Sequence, residues 1–171
     1  MKLVEGQIYE GPVSAFGGDG PLQRWMVVAP FGKMHCHSIS DPLDLHCMPL
    51  AIAKQVTAEG RLTLIETTSE HPVLRLQRRK ESLGIQDAHL GLRGRNLERM
   101  LALLEQSVAD GVDYAPYAAG ELLSLLCRLH SDEQVEAVRG RVEQALARWH
   151  GQEPSGQTAA PPAHPPSISP M

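Results

Sequence analysis

Hydrophobic and polar positions alternate with a period of about two over much of the first 76 residues, a pattern typical of β-strands. Turns rich in glycine, proline and aspartate separate the short runs. The predicted strands are residues 2–9, 23–29, 33–39, 44–48, 50–57 and 61–67, with 71–76 as a last one. Gly60 is predicted to close a β-hairpin between the fifth and sixth runs. We therefore expect an antiparallel β-meander or a small barrel.

From Asn96 the hydrophobic period changes to about 3.6, which predicts helices. Asn96 is suited to cap the first helix and Gly111 to end it. A second helix is expected to carry Pro116 in its first turn. Ser131 and Gln134 have the spacing of a capping box, which predicts a third helix.

The chain is therefore predicted to have an α+β fold with four parts. Residues 1–76 form a β-rich domain, 77–95 a basic connecting segment, and 96–150 a helical hairpin or three-helix segment. Residues 151–171 contain six of the thirteen prolines and a single charged residue, Glu153. Such a composition cannot bury enough apolar surface to become ordered, so we expect a disordered tail.

Composition narrows the class of protein. The net charge is −4, and aromatic residues make up only 4% of the chain, which argues against a base-stacking surface. No apolar run approaches the roughly 20 residues of a membrane helix, and no export signal is evident. Three cysteines in such a chain favour a reduced, cytoplasmic setting. We expect no membrane association.

Histidine and cysteine are concentrated around one predicted turn. His35, Cys36 and His37 precede it, and His46 and Cys47 follow it. If the two runs pair as a hairpin, His35 and His37 share one face, and His46 or Cys47 can approach them, depending on the register. Imidazole and thiolate are ligands for zinc and copper. The sequence therefore predicts a candidate metal site, most simply for zinc, formed by His35, His37, His46 and Cys47.

Two other interpretations of this cluster stay open. Cys36, Met34 and Met48 can fill the core while the histidines face solvent, because unpaired cysteine is usually buried. Cys36 can instead be a nucleophile if a nearby group lowers its pKa. His37 is poorly placed to do so, since adjacent residues of a strand point to opposite faces. No nucleotide-binding or hydrolase motif is present, so a cofactor other than a metal ion is not predicted.

Basic residues are concentrated between Arg75 and Arg99, where seven bases and three acids give a net charge of +4. The candidate contacts for an anion or nucleic acid are Arg78, Arg79, Lys80, Arg93 and Arg95. Residues 90–97, LGLRGRNL, lead into the first predicted helix. They resemble the glycine-x-x-glycine loop of KH nucleic-acid-binding domains, which implies contacts with backbone nucleotides. Alternatively, the basic residues form a solvated face or pair with acidic helix residues such as Glu121.

We expect a non-catalytic regulatory or interaction protein that acts through its helical surface. The predicted helices carry more leucine than three short helices need for one another, for instance in residues 101–104 and 122–126. Part of that surface must pack on the sheet, on a protein partner or on a second copy. The alternatives are a nucleic-acid-binding regulator that uses the basic segment, and a metal-binding sensor or enzyme that uses the histidine–cysteine cluster.

Overall fold

The computed structural model describes residues 2–85 and 95–152 and has an α+β fold. Its strands are β1 (Gln7–Val13), β2 (Asp19–Val28), β3 (His35–Ser38), β4 (Cys47–Met48) and β5 (Thr63–Thr67). Its helices are α1 (Leu50–Ala58), α2 (Pro72–Ser82), α3 (Arg95–Ala109), α4 (Ala115–Leu126) and α5 (Glu133–Gln152). A single 3₁₀ turn at Pro30–Gly32 connects β2 to β3.

The described strands form one antiparallel sheet in the order β4-β3-β2-β1-β5. Strands β1 to β4 are consecutive neighbours, so the predicted meander is confirmed. The chain then passes through α1, and β5 pairs with the other side of β1. β4 and β5 are therefore the two edges of the sheet.

Helix α1 covers part of one face of the sheet, the α1 face. Trp25 and Val27 of β2 and Cys36 of β3 lie on this face and share a hydrophobic cluster with Ala53 and Val56 of α1. The three strand residues are buried, as are both helix residues. Neighbouring residues of a strand point to opposite faces of a sheet. The side chains of β2 and β3 that alternate with these three residues therefore point to the other face.

The opposite face, the bundle face, packs against helices from the second half of the chain. Ile8, Met26 and Val28 share a cluster with Val73 and Leu74 of α2. Tyr117 of α4 packs against the same cluster. This face of the sheet is thus joined to the helical bundle through α2 and α4.

Helices α3, α4 and α5 form a bundle around a second and larger core. Its fully or largely buried leucines include Leu97, Leu101, Leu103, Leu104, Leu122, Leu125 and Leu126. Gly111 has a φ of +65° and follows α3, and Pro116 is in the first turn of α4, as predicted. α3 begins at Arg95, one residue before the predicted cap. The three predicted helices are confirmed.

The prediction of a strand at residues 50–57 is wrong, because this segment is helix α1. Ala53, Val56 and Thr57 are buried at helical spacing, and a short apolar run does not distinguish a strand from a helix. Gly60 has the expected positive φ, +74°, but it ends α1 rather than closing a β-hairpin. The N–H groups of Gly60 and Arg61 donate to the carbonyls of Thr57 and Val56, the hydrogen-bond pattern of a Schellman motif.

The predicted strand at residues 71–76 is also wrong, because it is the start of helix α2. Pro72 occupies the first turn, and the His71 side chain caps the helix by accepting from the Val73 N–H. Residues 73–80 show the helical repeat of buried positions, with both Gln77 and Lys80 among them. The predicted boundary at residue 76 therefore falls inside a helix.

The N-cap of α5 is Asp132 rather than Ser131. The Asp132 carboxylate accepts from the Val135 N–H at 2.9 Å, and the Ser131 hydroxyl donates to the Glu136 carboxylate at 2.8 Å. The predicted helix is present, but its cap is shifted by one residue. From residue 153 onward the predicted tail lies outside the described residues, as do residues 86–94 with most of the KH-like loop.

Candidate metal centre

Strand β3 places two histidines on the bundle face of the sheet. His35 and His37 are half-buried, whereas Cys36 and Ser38 between and after them are buried. Met26 lies opposite His37 and Val28 lies opposite His35 in the register with β2. Directly opposite residues of paired strands share a face, so both imidazoles lie on the bundle face.

Strand β4 adds a thiol to this pair. Cys47 lies directly opposite His37, and Met48 lies opposite Cys36. Cys47 is therefore on the bundle face with the two histidines, while Met48 is buried in the α1-face cluster. One ligand atom from each of His35, His37 and Cys47 lies within 4.8 Å of the other two. Three of the four predicted metal ligands thus converge.

The two imidazoles are in close contact. The Nε2 atoms of His35 and His37 are 2.5 Å apart, and the ring centroids are 4.5 Å apart. At this distance the Nε2–H of one imidazole donates to the Nε2 of the other, and which ring donates depends on the tautomer. A metal ion can take the place of that proton, because a metal binds the neutral imidazole.

The donor set suits a borderline or soft metal ion. Zinc binds imidazole nitrogen at about 2.0–2.1 Å and thiolate sulfur at about 2.3 Å. In tetrahedral geometry these lengths place donor atoms about 3.3–3.7 Å apart. The His35–His37 nitrogens therefore have to separate by about 1 Å to hold zinc. Both side chains are half-buried, so rotation about their side-chain torsions is the simplest way to separate the nitrogens.

The fourth predicted ligand, His46, does not join the cluster. Its Nε2 is 3.0 Å from a carboxylate oxygen of Asp44, and its side chain is 48% exposed. Cys47 follows His46 directly, so the two side chains point to different sides of the chain. The prediction left the register open between His46 and Cys47, and the structure selects Cys47.

Ser38 holds the chain that leads to Cys47 and was not among the predicted site residues. Its hydroxyl accepts from the His46 N–H at 2.7 Å, and its own N–H donates to the His46 carbonyl at 2.9 Å. The hydroxyl also donates to the Asp44 carbonyl at 3.3 Å. Ser38 is buried, so these bonds fix the loop beside the ligands. In the sequence, the only indication of this role of Ser38 is a small polar residue at a position that belongs to the core.

The loop between β3 and β4 also rests on the helical bundle. A Cβ added to Gly120 of α4 would lie 1.8 Å from the Pro42 carbonyl oxygen. Only glycine allows the loop to approach α4 this closely. The candidate metal centre is therefore connected to α4 through its own loop.

Cys36 lies on the opposite face from the histidines and is buried. Burial, with a smaller effect from Cys47, raises the pKa of its thiol to about 12. A protonated thiol at neutral pH is a poor nucleophile, so the geometry does not favour Cys36 as a catalytic residue. Its packing in the α1-face cluster fits the interpretation as a core residue.

The basic segment is divided among several environments. Lys80 is buried and pairs with Glu121 of α4 at 2.6 Å, as one of the predicted alternatives proposed. Arg78 is exposed and donates to the Ser69 carbonyl. Arg79 lies at a surface cavity of about 620 Å³ between α2 and α3. Arg95 is the first residue of α3, and Arg93 lies outside the described residues. Among the described side chains of this set, Arg78 and Arg79 are therefore at the surface, whereas Lys80 is taken up by the core.

Comparison with known proteins assigns no family to the chain. No family model, curated protein or solved structure matches it. Among the described helices, none is both long enough and apolar enough to cross a membrane.

Proposed function

We propose that the protein is a metal-binding regulatory protein whose centre consists of His35, His37 and Cys47. The observation that carries this proposal is the convergence of two imidazoles and a thiol within 4.8 Å on one face of the sheet. Zinc is the ion that fits this donor set most simply, and copper is the other soft candidate.

A regulatory role is supported by the position of the ligands. Cys47 is on β4, a strand of two residues, whereas both histidines are on β3. A metal ion held by all three ties the short edge strand to its neighbour. The same strand ends the loop that rests on α4 at Gly120. Metal binding is thereby coupled to the contact between the loop and the bundle.

The expected role of the helical surface has less support. The leucines that suggested an excess, including Leu101, Leu104, Leu122 and Leu126, are buried in the bundle core. None of the large exposed hydrophobic residues identified in the described chain lies in α3, α4 or α5. The nucleic-acid alternative also loses Lys80 as a surface contact. Both roles stay predictions.

Metal binding is tested by titrating zinc into chelator-treated protein by calorimetry, with metal content measured by mass spectrometry. We expect one ion per chain in the wild type and at least a tenfold loss of affinity in His37→Ala. His46→Ala is the matched control, because His46 is a neighbouring histidine that pairs with Asp44. Equal affinity of the two variants, or no binding by the wild type, contradicts the proposal.

Participation of the thiol is tested with Co²⁺ as a spectroscopic substitute for zinc. A cobalt–thiolate bond gives a charge-transfer absorption that imidazole ligands do not produce. We expect this absorption in the wild type and in Cys127→Ser, whose cysteine is exposed. It is expected to be absent in Cys47→Ser. An unchanged spectrum in Cys47→Ser excludes Cys47 as a ligand.

A further inference from the structure

The two edges of the sheet are built differently. β4 has two residues and is followed directly by Pro49 and α1. β5 has five residues, and all five are exposed. Within the described chain, β5 pairs with β1 on one side only. Its outer edge therefore presents backbone donors and acceptors to solvent.

Apolar side chains accompany this edge. Leu64 is 47% exposed and Ile65 is 42% exposed. Ile65 and Thr63 also line a shallow surface cavity of about 580 Å³ beside β1 and β2. Leu22, on the same cavity, is 67% exposed. Burial of such residues against another surface is favourable.

The usual protection of an edge strand is incomplete here. Exposed edges are commonly blunted by lysine, proline, very short strands or bulges. The segment Thr63-Leu64-Ile65-Glu66-Thr67 contains neither lysine nor proline. A bulge at Ile65 interrupts its pairing with β1, but the outer edge of the strand stays uncovered. This combination is typical of a strand that pairs with another chain.

We infer that β5 pairs with β5 of a second copy, in an antiparallel arrangement centred on Leu64. A two-fold axis perpendicular to the sheet keeps each face continuous across such a pair. Leu64 lies opposite Tyr9 and so belongs to the α1 face, where it meets the second copy's Leu64. Thr63 lies opposite Glu10, on the bundle face, and Ile65 lines the same cavity. Across the axis, Thr63 of each copy lies opposite Ile65 of the other.

Charge favours this register. Arg61 lies two residues before β5, so in an antiparallel pair centred on Leu64 it lies near the far end of the second copy's strand, where Glu66 and Thr67 are. Arg61 is held at the edge by hydrogen bonds to the Gly17 carbonyl and to Asp19. A register centred on Glu66 instead places two carboxylates directly opposite each other, which is unfavourable. Charge therefore favours the register centred on Leu64 over one centred on Glu66.

The inference is independent of the proposed metal centre, which lies at the other edge of the sheet. The test is the mass of the full chain in solution, measured by sedimentation equilibrium with a chelator present. We expect a dimer in the wild type and at least about a tenfold weaker association in Ile65→Lys, because the lysines approach each other across the axis. Leu43→Lys is the control, since Leu43 is 39% exposed but lies in the β3–β4 loop.

The register is tested by oxidative cross-linking in a Cys47→Ser/Cys127→Ser background. Leu64→Cys places the introduced thiols on opposite residues about 4.5–5.5 Å apart at Cα, within reach of a disulfide. Thr67→Cys, in the same strand, places them about 20 Å apart. We expect a covalent dimer from Leu64→Cys alone. A monomeric wild type, a dimer insensitive to Ile65→Lys, or cross-linking by Thr67→Cys instead of Leu64→Cys overturns the inference.

Discussion

At the scale of single residues, Lys80 is a charged side chain that lies buried in the described chain. Its side chain is 2% exposed and donates to Glu121, which is 11% exposed, at 2.6 Å. A buried ammonium requires such a partner, because its desolvation is costly. The pair joins α2 to α4 and so links the helix on the sheet to the bundle.

Removal of one member of this pair is expected to destabilise the protein strongly. Glu121→Leu leaves Lys80 charged and buried, at a cost of about 3–5 kcal/mol in unfolding free energy. The double variant Lys80→Met/Glu121→Leu is expected to recover most of this loss, since no charge is then buried. Arg24→Ala is the surface control, because its pair with Glu10 is exposed and is worth about 1 kcal/mol or less. Urea denaturation measures all three, and a double variant that is no more stable than Glu121→Leu contradicts the argument.

His71 makes stability depend on pH. Its Nδ1 accepts from the Val73 N–H, which requires an unprotonated nitrogen. Burial lowers the pKa of His71, and this is the largest effect. The carboxylates of Glu66 and Asp113 act in the opposite direction, whereas the positive charge of Arg75 lowers the pKa further. The folded state thus binds protons less readily than the unfolded state. Its contribution to stability is full above about pH 6.5 and is lost as pH falls through the lowered pKa.

The variant His71→Asn separates this effect from other titrations. Asparagine is a good helix cap and does not titrate, so α2 keeps its cap at every pH. We expect the wild type to lose stability relative to His71→Asn as pH falls below 6.5, and the two to run parallel at higher pH. Denaturation at several pH values measures the difference. Parallel curves across the whole range show that His71 does not carry the effect.

At the scale of elements, sequence predicted the long periodic helices better than the short apolar segments. α3, α4 and α5 each repeat their apolar positions over several turns, so only a helix buries them together. α1 and the first turns of α2 are short segments. Their apolar residues fit the period of a strand as well as that of a helix. What decides between the two is packing on the sheet, which is a tertiary effect.

The candidate site shows the same division. Alternation on one strand was sufficient to place His35 and His37 together. The third ligand depended on the register between β3 and β4, which a single sequence does not specify. Ser38 and Gly120 act through contacts that form only in the folded chain.

The contact between the β3–β4 loop and α4 gives a prediction for the element scale. Gly120→Ala places a Cβ against the Pro42 carbonyl, so the loop has to move. We expect a loss of about 1–3 kcal/mol in unfolding free energy and weaker zinc binding, because the loop leads to Cys47. Gly140→Ala in α5 is the matched control, since nothing lies within 4 Å of the added Cβ. That change is expected to stabilise the helix by about 1 kcal/mol.

At the scale of the whole molecule, the two proposed surfaces lie at opposite ends of the sheet. The metal centre lies on β3 and β4, and the proposed dimer edge is β5, four inter-strand spacings from β4. This corresponds to about 19 Å across the sheet. The two proposals can therefore fail independently.

Metal binding is expected to stabilise the entire fold, because an ion that binds only the folded state shifts the unfolding equilibrium. Zinc at a hundred times its dissociation constant contributes about 2.7 kcal/mol, which for a chain of this length raises Tm by roughly 5–10 °C. Differential scanning calorimetry should show this rise in the wild type and equally in Ile65→Lys, because β5 does not touch the metal centre. His37→Ala should show almost none. A rise that survives in His37→Ala shows that zinc acts elsewhere, and one that disappears in Ile65→Lys shows that the centre needs the second copy.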